Sequence, residues 1–177
     1  MKNISYILLL SCSGWLLACS PDSEADVEQA DTTLLDTAGA LVAEEADTTL
    51  HPVEEVTLKA VGNSLEEMKY DLDTLEVSAG TLVKLTFINE GSEQSMIHNV
   101  VITQPDKYKL VALAGAKIGA PGNYVPESDI VIAASPLALP GQTVEVEFNA
   151  PTTTGYYSYV CTYPGHWERM NGVLLVK

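Results

Sequence analysis

Cations are scarce in this chain. Nine Lys and Arg stand against 24 Asp and Glu, giving a formal charge of −15 over 177 residues. Phosphate backbones are held by basic faces, so this balance argues against nucleic acid as a partner. Histidine is scarcer still, with three residues. That is too few for a His-rich catalytic centre with a second metal inside one subunit. Long apolar runs are also missing. The most apolar stretch, residues 7–18, is broken by Ser11-Cys12-Ser13-Gly14 and is too short to cross a bilayer as a helix. Cysteine is limited to Cys12, Cys19 and Cys161. No disulfide framework is available, so the fold must rest on its core.

What stands at the N-terminus is an address. Lys2 supplies a positive charge, a short apolar segment follows, and then comes Leu16-Leu17-Ala18-Cys19. This resembles a bacterial lipobox, in which the cysteine is lipidated and becomes the mature N-terminus. Residues 1–18 then form a lipoprotein signal peptide and Cys19 the anchor. Cys12 is a weaker rival, with almost no apolar segment before it. Cleavage leaves Cys161 as a lone thiol in an oxidising compartment, a liability unless it is buried, reactive or bound to metal.

Residues 19–52 read as an acidic flexible tether. From Asp22 to Asp47 there are nine carboxylates and no Lys or Arg, and "ADTTL" occurs at 30–34 and again at 46–50. Such composition does not build a core. A coil of this length reaches roughly 30–35 Å on average. His51, before Pro52, reads as a solvated linker residue.

From residue 53 to 177 the pattern becomes β. Val144, Val146 and Phe148 alternate with polar residues, as do Val83, Leu85 and Phe87. Segments 56–61, 75–78, 98–103, 129–134, 156–161 and 172–177 also read as strands, separated by turn signals such as Ala79-Gly80 and Pro140-Gly141. Seven to eight short strands predict an all-β Greek-key sandwich. One short helix is predicted between Asp106 and Lys117, opened near Pro105 and closed by Gly119.

Chemistry concentrates in "CTYPGHWERM", residues 161–170. It holds a thiol at Cys161, an imidazole at His166 and a thioether at Met170, with Pro164-Gly165 turning the chain between them. His98, at the head of a predicted strand, is a candidate fourth donor. Two imidazoles and a thiolate in a trigonal set, with a weak axial thioether, describe a blue-copper electron-transfer site. Zinc competes for Cys and His, but natural zinc sites seldom use methionine. Alone, each residue has an ordinary explanation: His98 a satisfied core histidine, Cys161 a buried hydrophobe, Met170 a core filler. Their joint spacing overrides those readings. Met68 and Met96 read as core or loop residues.

With these motifs in view, residues 54–177 resemble the azurin branch of the cupredoxins, especially its auracyanin-like members. The matching segments are "CTYPGHWERM", "MIHNVVI" (96–102), "GNSLEEMKYD" (62–71) and "SAGTLVKLTFINEG" (78–91). The resemblance implies one type 1 copper cycling between Cu(I) and Cu(II). Its ligands would be His98, Cys161 and His166 around the ion, with Met170 axial. It implies that Asn99 ties the two ligand loops together through Thr162. His166 would present its ring edge as the electron port, within a docking patch that includes Tyr163, Pro164 and Trp167, although Trp167 reads equally well as packing. Two features depart from azurins. Ile97 stands where they have glycine, and the cysteine pair of their disulfide is absent.

The expected function is therefore an electron carrier with no small-molecule substrate and no enzymatic activity. Copper storage or delivery is the alternative, but it would suit an exposed, Met-rich or His-rich site better. Partners expected from the resemblance are c-type cytochromes or a membrane quinol-oxidising complex. The protein would be exported and lipid-anchored on the periplasmic or cell-surface side. Ser20 after Cys19 points to the outer rather than the inner membrane of a Gram-negative cell.

Overall fold

The computed structural model describes residues 52–177. The expected signal peptide, Cys19, tether and His51 lie outside the described residues. Nine strands and one helix follow in chain order: β1 (Val53–Val61), β2 (Lys69–Tyr70), β3 (Thr74–Val77), β4 (Leu82–Asn89), β5 (Val101–Thr103), α1 (Tyr108–Ile118), β6 (Val131–Ala134), β7 (Thr143–Asn149), β8 (Gly155–Val160) and β9 (Asn171–Val176).

Alternation in β4 decides which face is core. Val83, Leu85, Phe87 and Asn89 are buried, while Leu82, Lys84, Thr86 and Ile88 are half-exposed. β4 pairs in parallel with β1 and antiparallel with β7, and β2 extends the sheet beyond β1. The second sheet has the order β3-β9-β8-β5-β6. β3 and β9 run parallel there, whereas β8 is antiparallel to both β9 and β5. Leu58, Leu85, Phe87, Ile102, Tyr159 and Leu174 fill the space between the sheets.

The sandwich expected from periodicity is present, with nine strands in place of seven to eight. The addition is β2, two residues long and without a readable period. The predicted strand 98–103 is a ladder strand only over Val101–Thr103, since His98 makes an isolated bridge with Ala138. α1 closes at Gly119, as expected. It lies on the outside of the five-stranded sheet, where Val111 and Ala112 pack on Val101 and Val160. At Gly115 a Cβ would stand 1.9 Å from the Tyr124 carbonyl oxygen, so only glycine lets α1 approach that crossover segment.

Candidate metal centre

β8 and β9 are adjacent antiparallel strands, with Val160 opposite Asn171. Residues 161–170 are therefore the loop of a hairpin. Its base is closed by the Cys161 N–H donating to the Met170 carbonyl at 2.9 Å. Within it the His166 N–H donates to the Tyr163 carbonyl at 3.1 Å. Pro164 and Gly165 occupy the corners of that turn, and Gly165 takes φ 83°, a conformation a side chain would strain. The turn brings His166 back over Cys161.

His98 arrives from a different direction. Its backbone pairs with Ala138, His98 N–H to Ala138 O at 3.1 Å and Ala138 N–H to His98 O at 2.7 Å. Asn89, last residue of β4, holds this bridge from below. Its side-chain amide donates to the Met96 carbonyl at 2.7 Å and the Ala138 carbonyl at 2.9 Å.

The result is one cluster of three donors. His98 Nδ1 lies 3.9 Å from Cys161 Sγ, His166 Nδ1 lies 3.8 Å from the same sulfur, and the two Nδ1 atoms are 3.1 Å apart. Among the described residues it is the one group of at least three His, Cys, Asp or Glu arranged to hold a metal ion. Met170 is wholly buried beside it in sequence and backbone contact. Bonds of about 2.0 Å to nitrogen and about 2.3 Å to sulfur leave three donors around one ion roughly 3–4 Å apart. The observed triangle fits that spacing.

Burial keeps the three donors in their neutral forms. Burial lowers the pKa of His98 to about 3, with His166 adding to the effect, and burial lowers His166 to about 4. Burial pushes the Cys161 thiol up to about 12, against the backbone N–H groups of Asn99 and Tyr163, which donate to its sulfur. Without metal, the pocket holds neutral groups whose lone pairs converge. A soft or borderline cation would replace the thiol proton and satisfy all three donors.

A model of copper-binding proteins of the plastocyanin/azurin family matches residues 56–177. The chain belongs to this family. Auracyanin-A of Chloroflexus aurantiacus is 40% identical over 120 residues, covering 66% of this chain and 72% of that protein. Azurin of Achromobacter denitrificans is 30% identical over 129 residues, covering 70% and 87%. The solved structure of auracyanin A, a blue copper protein of Chloroflexus aurantiacus, superposes with a TM-score of 0.64 at 36% identity, over 71% of this chain and all of that one. The dithionite-reduced auracyanin of Roseiflexus castenholzii gives 0.62 at 29% identity, over 70% and 96%. Among cupredoxins the His98–Cys161–His166 cluster fits a single type 1 copper ion. The protein is a blue copper protein that carries electrons one at a time.

Other sequence-predicted residues fall around the cupredoxin centre as follows. Asn99 and Thr162 meet: the Thr162 N–H donates to Asn99 Oδ1 at 2.9 Å, and Asn99 Nδ2 donates to Thr162 Oγ1 at 2.8 Å. His166 is buried, with only 2% of its surface exposed. Tyr163 lies over it with ring centres 4.8 Å apart, and Pro164 is exposed. Trp167 is a packing residue, half-buried against Tyr108 and covered by the Lys109 ammonium 5.1 Å from its ring. Met68 and Met96 belong to the core.

Several residues escaped the sequence reading. Asn89 had a signal: it continues the inward parity of 83, 85 and 87 with a polar side chain, which requires buried partners. Leu65 and Leu139 are 59% and 46% exposed. Leu139 follows the partner of His98, and Leu65 precedes Glu66, whose carbonyl accepts from Arg169 of the ligand loop at 2.9 Å. Both are exposed apolar residues on segments tied to the candidate ligand segments, and neither sits in a periodic segment that would have marked it.

Proposed function

We propose that His98, Cys161 and His166 would hold the copper, with Met170 as a further, weaker sulfur ligand. The observation that carries this reading is the buried triangle of two Nδ1 atoms and one Sγ. Copper, when bound, supplies a one-electron Cu(I)/Cu(II) couple. The residues do the rest. Cys161 and His166 sit on one closed hairpin loop, His98 is stapled by Asn89, and Asn99 locks the two segments through Thr162. A set of donors held this firmly moves little between oxidation states, which keeps electron transfer fast. His166, beside Tyr163 and Pro164 in its loop, is the electron port, and contact with partners there is small and transient.

The protein acts as a carrier rather than an enzyme. Its partners are c-type cytochromes or a membrane quinol-oxidising complex, and its acidic charge makes their association salt-dependent. Residues 1–18 direct export, Cys19 is lipidated, and the acidic segment 19–52 is the leash of domain 53–177, on the periplasmic or cell-surface side and at the outer membrane in a Gram-negative cell. The register of β1 supports this arrangement. Ala60 pairs with Asn89 at the metal pole and Val53 pairs with Leu82 at the other end. At about 3.3 Å per residue the leash joins the domain more than 20 Å away from the centre. No described helix is long and apolar enough to cross a membrane.

The test is a visible absorption and EPR spectrum of the Cu(II)-loaded domain beside Cys161→Ser. An intense blue thiolate-to-copper band, bleached by reductant and absent from the variant, is expected. A colourless protein with tight stoichiometric copper would overturn the carrier reading in favour of copper handling.

A further inference from the structure

Asn99 has every polar group occupied. Its backbone N–H donates to the Cys161 sulfur. Its Oδ1 accepts from the Thr162 N–H, and its Nδ2 donates to Thr162 Oγ1 and, at 3.2 Å, to the Asn123 carbonyl. The remaining group, its backbone carbonyl, accepts from the Tyr70 hydroxyl at 2.6 Å. Tyr70 belongs to β2, in the other sheet. The hydrogen bond therefore crosses the sandwich and ends one residue from the ligand His98.

The geometry points to Tyr70 as a positioning residue for the copper thiolate, acting through Asn99. Asn99 is fully buried, so its carbonyl has no water to turn to if the hydroxyl is removed. The ring of Tyr70 is clamped edge-on between Phe87 of the first sheet, at 6.0 Å, and Tyr159 of the second, at 5.2 Å. A clamped ring holds its hydroxyl in one place, and the hydroxyl holds the segment 98–99 at a fixed height over the sulfur. That height sets the strength of the Asn99 N–H···S hydrogen bond. Such a bond withdraws charge from the thiolate, favours Cu(I) and raises the reduction potential. Nothing else at this end of the fold requires a hydroxyl on residue 70, since a phenylalanine would fill the same volume.

This inference rests on the proposed ligand set, and its test separates the two. Tyr70→Phe is compared with Tyr159→Phe. The control removes a neighbouring core hydroxyl, one that donates to the Leu72 carbonyl rather than to Asn99, and keeps the ring that clamps Tyr70. In the copper-loaded protein, Tyr70→Phe is expected to lower the reduction potential and shift the thiolate-to-copper band, while Tyr159→Phe leaves both at the wild-type values. In the metal-free protein, hydrogen exchange of the Thr162 amide is expected to speed up in Tyr70→Phe alone, because its acceptor, Asn99 Oδ1, is no longer fixed. Equal potentials and equal exchange in the two variants would overturn the role of Tyr70. A wild-type protein without a blue band would instead overturn the ligand set, and the exchange comparison would still decide the role of Tyr70.

Discussion

The two ends of the sandwich are held by different means. At the metal pole the backbone stops forming ladders, and buried side chains take over. Asn89 satisfies two carbonyls, Asn99 bonds to Thr162, Asn123 and Tyr70, and the Ser135 hydroxyl accepts the Val100 N–H at 3.0 Å. At the opposite pole the contacts are exposed or partly so: the Lys177–Glu76 ion pair, Glu54 accepting from the Ser78 N–H at 2.8 Å, and the Tyr157 hydroxyl on the Thr153 carbonyl at 3.0 Å. Buried polar groups have no water as an alternative partner, so each missing contact carries the full desolvation penalty. Exposed ones are replaced by solvent at little cost. Rigidity is thus concentrated where an ion must be held in unchanged geometry, and the opposite end is held loosely.

Acid should expose this contrast most strongly. In the metal-free protein, His98 and His166 have pKa values near 3 and 4, against an ordinary 6.5. Below pH 6.5 the unfolded chain takes up protons that the folded one refuses, so stability present above that pH is lost as pH falls toward 4. Each imidazole removes up to about 1.4 kcal/mol per pH unit in that window. The thiol produces the mirror effect. Its pKa of about 12 means that stability is lost as pH rises above 9, where the unfolded thiol ionises. Denaturant titrations of metal-free protein from pH 4 to 7 should therefore show a steep acid limb. Metal loading should flatten it, because the bound cation excludes protons from all three donors. Equal slopes with and without metal would mean that the histidines do not face a common ion.

Substitution at Asn89 comes next. Asn89→Ala removes no ligand but leaves the buried Met96 carbonyl and the buried Gly91 N–H unpaired, the Ala138 carbonyl keeping the His98 N–H; the loss is about 2–4 kcal/mol at about 1–2 kcal/mol per group. It should also broaden the copper EPR signal, because the Met96–His98 segment loses its staple. Gly115→Ala is a smaller effect and a clearer test of sign. In an exposed helix the change would add roughly 1 kcal/mol of stability. Here the new Cβ meets the Tyr124 carbonyl oxygen, and overpacking of this kind costs about 1–3 kcal/mol. A net loss in melting temperature is expected. A gain would show that α1 can slide away from the crossover segment.

How much of this was legible beforehand follows the same division. The core-facing parity of β4 and β7 came directly from alternation, and α1 from its spacing and its closing glycine. The donors of the loop 161–170 were legible because they are local. His98 is 63 residues from Cys161, and only a Greek-key connection brings the two together, so the sequence offered it as a candidate and the fold made it a neighbour. β2 was invisible because two residues have no period. The Tyr70 hydroxyl and the Asn123 carbonyl were invisible for another reason. Each reaches Asn99 from elsewhere in the fold, Tyr70 across the sandwich and Asn123 from the crossover after α1, and no local pattern encodes such a contact. Sequence spacing thus marks the groups proposed to bind the ion, while the groups that hold those groups still become visible only in three dimensions.

The far pole supplies the smallest effect and the control for the rest. Tyr157→Phe removes a partly buried hydroxyl whose acceptor, the Thr153 carbonyl, lies in the turn before β8. Tyr157 and Cys161 share β8 and its extension, so a disturbance carried along the strand would reach the thiolate. Water can reach that turn, however, and the ring keeps its place in the core. The expected loss is under about 1 kcal/mol, with the reduction potential and the blue band unchanged. Comparing it with Tyr70→Phe makes the distinction sharp, because both variants delete one hydroxyl from one buried tyrosine that bonds one backbone carbonyl. If Tyr157→Phe moved the potential as far as Tyr70→Phe does, the thiolate would be responding to the stiffness of the whole sandwich, and the separation of the two poles would fail.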